Sequence, residues 1–413
     1  MSRGAMGEFH LDLNDPRFVY DPYPQLADLR ERMPIFFDPV WNKVFFTRYD
    51  HIASLLRDRR LGRSILHVLS RDELGWPPSN PLTRDFDAFQ GDHMLDNEPP
   101  KHTRLRGLML KAFTPGRVEG LRRTIQGIVD ALIDRVEGRG QMDLLTDFAE
   151  PIPVTVIAAL LGVPEADRPL LRPWSAKIVK LYELGYSDEH ARDANQAVVE
   201  FSAYIKALAK ERGKAPRDDL ISALVRVEEQ GEVLSEDELV ANCILLLNAG
   251  HEASVNGTTL GVLSLHHNPE QLALAREAAR RGDHEFFKTA VEELLRYDTP
   301  LPMFERWVLA DGEFQGVDLR QGMELGLLYA SGNRDPRRFA DPDRLDLRRK
   351  DNPHLTFGLG IHYCIGAPLA RVELQTSFQT LLRRLPNIRM AREPVEYSGG
   401  FIIRGHRAMP VEF

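Results

Sequence analysis

Phe357-Gly358-Leu359-Gly360-Ile361-His362-Tyr363-Cys364-Ile365-Gly366 sets one of only two cysteines in the 413-residue chain among glycines, aromatic rings and a histidine. A thiolate so placed is suited to bind a metal, since the thiolate and not the thiol is the ligand. Glycines permit φ > 0 and a close approach of backbone to a flat group, which ordinary residues obstruct. Pro368, just beyond, suits the first turn of a helix whose N-terminus would favour the negative sulfur.

Composition narrows the setting of this loop. The chain is 43% hydrophobic and 28% charged with a net charge of −8, which describes a soluble globular protein and argues against nucleic acid as a main partner. Two cysteines, Cys243 and Cys364, are too few for a disulfide framework and suit a reducing cytoplasm. Cys243 lies in the apolar run 240–247 and reads as a small buried hydrophobe. No run of about 18 uninterrupted apolar residues predicts a membrane span. Residues 1–9, with Gly4-Ala5-Met6-Gly7-Glu8-Phe9, read as a vector-derived tail, leaving 10–413 as one domain.

Helical periodicity dominates. Apolar residues recur at three- and four-residue steps from Val118 to Val136, and similar patterns cover Ile152–Leu161, His190–Arg212, Asp218–Gln230, Pro269–Ala279 and Glu285–Tyr297. The longest predicted helix opens with Ser235 and Glu238, a capping-box spacing, and meets no proline until Pro269; at 1.5 Å per residue it would run about 50 Å. Within it Gly250 costs about 1 kcal/mol relative to alanine, which calls for close packing or a local opening. Strands are predicted at Ile35–Phe37, Val44–Thr47, Arg306–Leu309, Glu324–Tyr329 and Gly399–Ile403. The outcome is a mainly α fold with small β-sheets.

Four ordered segments carry a resemblance. Phe357-x-x-Gly360-x-His362-x-Cys364-x-Gly366 resembles the cysteine-ligand loop of the cytochrome P-450 family, the haem-thiolate monooxygenases. Glu293-Leu294-Leu295-Arg296 is similar to its Glu-x-x-Arg helix, Ala249-Gly250-His251-Glu252 to the oxygen-binding stretch of its central helix, and 98–106 to its early haem-clasping segment. The region 333–343 resembles its irregular pre-cysteine segment, so the likeness runs from about Asp21 to the C-terminus.

The resemblance implies a single triangular, mostly helical domain of the soluble bacterial type, with a long central helix over haem b. It implies Cys364 as the iron ligand, with Phe357, Gly358, Gly366 and Ala249 against the cofactor. His102, Arg106, Arg306 and His362 match positions that contact the haem propionates, where arginine suits a carboxylate. Glu293 and Arg296, three apart on one helical face, form a structural lock, with Arg344 the expected third member. On the central helix the family delivers protons through an acid and a threonine. This chain has Glu252 after Gly250, but Ala253 stands in the threonine's place and Ser254 follows; alanine neither donates nor accepts a hydrogen bond. A substrate hydroxyl or ordered water could supply the missing group, Ser254 could partly replace it, or the enzyme could need little relay. The first is favoured.

The same resemblance implies O2 as co-substrate and electrons from NAD(P)H through a ferredoxin or flavodoxin and its reductase, with Arg104, Lys111 and Arg371 as docking charges. A hydrophobic small molecule, oxidised most simply by hydroxylation in secondary metabolism, would contact Leu66, Leu69, Trp76, Phe86, Phe89, Leu246, Leu301, Met303, Phe304, Phe401 and Ile402. A cytoplasmic monomer is expected. Three alternatives stay open: a peroxide-driven peroxygenase, although the arginine–proline pair of the fatty-acid version is replaced by Ala253-Ser254; an oxidative-coupling enzyme; and a non-catalytic haem-thiolate sensor, against which Glu252 argues. The zinc pattern His-Glu-x-x-His fails, because Val255 occupies its fifth position.

Overall fold

The structure is a computed structural model and describes residues 6–182, 186–228, 231–398 and 400–413. The chain divides into two compact units, one comprising residues up to Val68, Gln126–Pro151 and Ala253–Phe413, the other Leu69–Ile125 and Ile152–Glu252.

The first unit carries the larger sheet. Its six strands run in the order Gly7–Glu8, Ile35–Asp38, Lys43–Phe46, Glu324–Leu327, Phe304–Val308 and Leu61–Gly62. Alternation of side chains across a strand divides the core. Val44, Phe46, Leu325 and Leu327 face one cluster with Tyr49, Ile52 and Phe339, whereas Phe36 and Phe45 stack at 5.2 Å in another with Leu11, Phe18, Met303 and Phe401. Gly7 pairs in parallel with Phe36, so the end of the expected tail is part of this sheet. Helices Pro269–Arg281, His284–Tyr297 and Ala367–Arg384 complete the unit's frame.

The second unit is helical. Asp188–Lys214 opens with a capping box between Ser187 and His190 and packs on Arg168–Val179, where Trp174 stacks on Phe201 at 5.1 Å. The central helix, Glu236–His266, begins here and continues into the first unit. Its predicted capping box is present: Glu238 N donates to Ser235 Oγ at 3.1 Å and Ser235 N to Glu238 Oε2 at 3.0 Å.

Three predicted elements differ. The 118–136 periodicity is divided between Pro115–Gly120 and Arg122–Asp134. The helix expected over 218–230 is only Leu220–Leu224, winding down through tighter bonds from Arg226 N to Ala223 O and from Val227 N to Leu224 O. Beyond Val225 the sequence offers no apolar stripe to hold a longer helix, and Gln230 lies outside the described residues. The strand expected at 399–403 is a turn over 400–403 that links Tyr397–Ser398 to Gly405–His406; Gly399 lies outside the described residues. The stretch Leu144–Leu161 is apolar enough to cross a membrane by composition alone, and 67% of it is buried inside the protein.

Candidate haem-thiolate site

The cysteine loop is wound tightly around its sulfur. Cys364 N donates to Phe357 O at 2.9 Å, and Gly358 and Gly360 adopt φ of 66° and 74°, a region L side chains rarely enter. A Cβ on Gly360 would stand 2.2 Å from the carbonyl oxygen of Leu56, so no other residue fits there. Gly366 caps the helix Ala367–Arg384, which has proline in its first turn, and a Cβ on Gly366 would lie 3.7 Å from Cys364 Sγ. The half-buried sulfur thus rests against the N-terminal end of a helix, where unpaired N–H groups and the helix dipole favour a thiolate. Among the described residues no cluster of three or more His, Cys, Asp or Glu is placed to hold a metal ion.

Around the loop, positive charge is held in fixed positions. Arg371 clasps Glu292 with Nε and Nη2 at 2.7 and 2.8 Å, donates to Tyr363 Oη at 3.1 Å and lies 4.5 Å from the ring centre of Phe357. Burial pushes the Glu292 carboxyl up, but hydrogen bonds from His354 and Arg371 outweigh it and hold the group down at about 2. Arg371 is therefore neutralised inside the protein and is not a free docking charge. Arg104 is likewise paired with Glu238, and Lys111 donates to Glu228 O at 3.3 Å. Arg306 is 3% exposed and donates to Glu305 O at 2.8 Å; Arg63 reaches the same carbonyl at 3.1 Å. Both guanidiniums act on buried Tyr329, whose hydroxyl is 3.6 Å from where a Cβ of Gly358 would sit. His362 lies in the single turn Gly360–His362 just before Cys364.

Glu293 and Arg296 are fully buried and joined by two bonds of 2.7 and 2.8 Å. The third member is Arg349, whose Nε reaches Glu293 Oε2 at 3.1 Å. Arg344, the expected partner, is exposed and contributes only its backbone carbonyl, 3.4 Å from Arg296 Nη2. Arg296 also donates to Asn333 O and Pro342 O, each at 2.8 Å, and so pins the irregular segment before the cysteine.

In the second unit, His102 and Arg106 share one face of the helix Lys101–Ala112, His102 at 2% exposure. The central helix is buried from Leu239 to Asn248, then accessible from Ala249 to Ala253, then buried again from Ser254. Gly250 stays helical, and a Cβ there would stand 2.4 Å from Ile157 Cδ1, so close packing, not an opening, accounts for the glycine. Glu252 is held below its ordinary range by a hydrogen bond from His251 against the opposing effect of burial, with Arg172 nearby.

One residue escaped the sequence reading. Glu373, on the helix Ala367–Arg384, is 3% exposed and hydrogen-bonded to Ser254, while its Oε1 has no partner among the described residues. Burial pushes this carboxyl up to about 8, against the opposing hydrogen bond from Ser254. The hydroxyl beside Ala253 is thereby tied to a buried acid that is mostly protonated at neutral pH.

The residues expected at the substrate are spread over several elements. Phe86 and Phe89 are buried on the helix Arg84–Asp92 with centroids 6.0 Å apart, Phe86 lies 5.7 Å from Tyr182, and Trp76 is covered by Arg71. Leu246 is 9% exposed on the central helix and Leu66 is 46% exposed. Leu69, Leu301, Phe304 and Ile402 are half-buried, whereas Met303 and Phe401 are fully buried in the core with Leu11 and Phe18.

The residues present fit a haem: one cysteine at a helix cap, glycines where a flat group must approach, and a buried guanidinium, Arg306, suited to a carboxylate. Known proteins agree. A profile of the Cytochrome P450 family matches residues 63–387. The polyketide biosynthesis cytochrome P450 PksS of Bacillus subtilis (strain 168) is 36% identical over 403 residues, covering 95% of this chain and 96% of that protein. The 6-deoxyerythronolide B hydroxylase of Saccharopolyspora erythraea is 35% identical over 407 residues, covering 97% and 98%. Among solved structures, P450BioI in complex with a hexadec-9Z-enoic acid-ligated acyl carrier protein superposes with a TM-score of 0.86 at 36% identity, over 96% of this chain and 99% of that one. With this fold, this cysteine loop and these relatives, the chain belongs to the cytochrome P450 family of haem-dependent monooxygenases.

Proposed function

We propose that this chain, a single functional domain over 10–413, binds haem b through Cys364 and hydroxylates a large apolar molecule of secondary metabolism, of the polyketide kind named for one of its relatives. When bound, the haem supplies O2 binding and O–O cleavage, with electron density pushed from the thiolate. Arg306, His362, His102 and Arg106 hold its propionates; Phe357, Gly358, Gly366 and Ala249 line it. The balance is one C–H bond converted to C–OH, with O2, two electrons and two protons consumed and one water released. The electrons come from NAD(P)H by way of a ferredoxin or flavodoxin, and the enzyme works as a cytoplasmic monomer. Leu66, Leu69, Trp76, Phe86, Phe89, Leu246, Leu301, Met303, Phe304, Phe401 and Ile402 supply its apolar contacts, those in the core by backing the surface residues.

The Ser254–Glu373 hydrogen bond carries the reading of proton delivery. Ala253 cannot relay a proton, and Ser254 is the next hydroxyl on the helix. A buried, protonated Glu373 can give its proton to the Ser254 Oγ, which passes one on through an ordered water or a substrate hydroxyl while Glu252 acts from the accessible stretch of the helix. The test measures product formed per NADH consumed. Ser254→Ala should lower this ratio several-fold and divert electrons to peroxide, and Ala253→Thr should restore it. Unchanged ratios in both variants would refute the relay, and turnover with hydrogen peroxide alone at the NADH-driven rate would favour the peroxygenase alternative.

A further inference from the structure

The central helix carries two buried asparagines that behave differently. Asn242, 0% exposed, donates to Glu238 O at 2.7 Å and to Asp92 O at 3.4 Å, and accepts from Met94 N at 3.1 Å. Asn248 is 5% exposed, yet neither its Oδ1 nor its Nδ2 has a hydrogen-bond partner among the described residues. Polar side chains on a helix can return to a carbonyl one turn back, as Thr258 does to Ser254 O at 3.0 Å and Thr259 to Asn256 O at 3.3 Å. Asn248 does not take that option. A desolvated amide with both functions idle costs stability, so an Asn in this place calls for a partner that is not part of the fold.

The position says what that partner is. Asn248 is the last buried residue before the accessible stretch Ala249–Ala253, and His251 and Glu252, three and four residues on, share its helical face. His251 Nε2 is also buried without a partner among the described residues. The residues just before, Ile244, Leu245, Leu246 and Leu247, are apolar. An amide beside such a run offers one donor and one acceptor in an otherwise hydrocarbon setting, the arrangement that fixes the orientation of a mostly apolar ligand.

We propose that Asn248 is a specificity-determining contact that selects apolar substrates bearing a hydroxyl or ketone, its Nδ2–H donating to the substrate oxygen and its Oδ1 accepting from a hydroxyl. This rests on the monooxygenase reading above and narrows it to oxygenated substrates over plain hydrocarbons. A site built around a buried hydrogen-bonding group discriminates strongly against a ligand that lacks the matching group, because its own amide is then left unpaired.

Cyclododecanol, cyclododecanone and cyclododecane share one ring and differ in a single oxygen. Each is titrated into the ferric haem-loaded enzyme, wild type and Asn248→Leu, and binding is read from the Soret shift. After correction for the transfer of each compound from water, the wild type should bind the alcohol and ketone at least tenfold tighter than the hydrocarbon. Asn248→Leu should bind all three alike and, free of ligand, melt at or above the wild-type temperature, because leucine removes the idle amide. A preference that survives in Asn248→Leu, a wild type that shows no preference or binds none of the three, or a variant that melts lower and binds all three more weakly would overturn the proposal. The carbon monoxide spectrum of both proteins is taken first: loss of the thiolate type in the wild type refutes the haem-thiolate reading itself, whereas loss of the preference with that spectrum intact refutes only the role of Asn248.

Discussion

Replacing Arg349 with alanine tests the lock around Glu293 more sharply than replacing any other member. Arg349 donates to Glu293 Oε2 at 3.1 Å and to the carbonyls of Ala340, Asp341 and Arg344 at 2.7, 3.2 and 3.3 Å. Removing a sole partner from a buried charge costs about 3–5 kcal/mol, but Glu293 would keep both bonds from Arg296 and the one from Asp346 N at 2.9 Å. Ala340 and Asp341 are exposed, so water can take over their carbonyls. What is lost is one hydrogen bond to a charged group, about 1.5–3 kcal/mol, together with the packing of a largely buried stem. Arg344→Ala removes an exposed side chain and keeps the carbonyl that the lock uses, so it should stay within about 0.5 kcal/mol of wild type. Urea unfolding of the two haem-loaded variants, followed by far-ultraviolet circular dichroism and by the thiolate-type carbon monoxide spectrum, measures the difference. Equal midpoints for the two variants, or a larger loss from Arg344→Ala, would refute the assignment of Arg349.

Two further predictions follow from burial and backbone geometry. Between the ordinary carboxyl value of 4.5 and about 8, folded Glu373 holds a proton that the unfolded chain has released, so its contribution is fully present below that window and stability falls as pH rises through it. Glu373→Gln should flatten this part of the stability curve, and an unchanged slope would show that the group does not titrate in that window. Gly360→Ala drives a Cβ to 2.2 Å from a backbone oxygen at a positive φ and should abolish haem retention, whereas Gly250→Ala meets only the movable end of Ile157 and should retain haem with stability within about 1 kcal/mol of wild type. Comparable haem content in the two variants would contradict this contrast.

The parts that could be read in the sequence are those whose geometry is local. The cysteine loop is written in consecutive residues because φ at Gly358 and Gly360 and the cap at Gly366 are properties of short backbone. Glu293 and Arg296 meet at helical spacing, and Ser235 and Glu238 close their capping box within one turn. Arg349 could not be separated from Arg344 in this way. Both lie in irregular chain, where no period says which side chain turns inward, and the choice was made by the path of a segment that Arg296 itself pins at Asn333 and Pro342.

Glu373 and Asn248 expose a deeper limit. The helix Ala367–Arg384 buries Glu373, Gln375, Thr376, Ser377, Gln379 and Thr380 beside its leucines, so hydropathy periodicity gives no sign that a carboxyl there has lost its water. Chemistry at these positions follows from desolvation, and desolvation belongs to the packed structure, not to the residue: the same glutamic acid on a wet face would be a carboxylate of no interest, and inside it is a neutral acid hydrogen-bonded to a serine. The absence of a hydroxyl at Ala253 was visible at once because it departs from a pattern in consecutive residues. The acid of the proposed relay lies 119 residues along the chain from Ser254, on the helix that follows the cysteine loop and is capped by Gly366, two residues after Cys364.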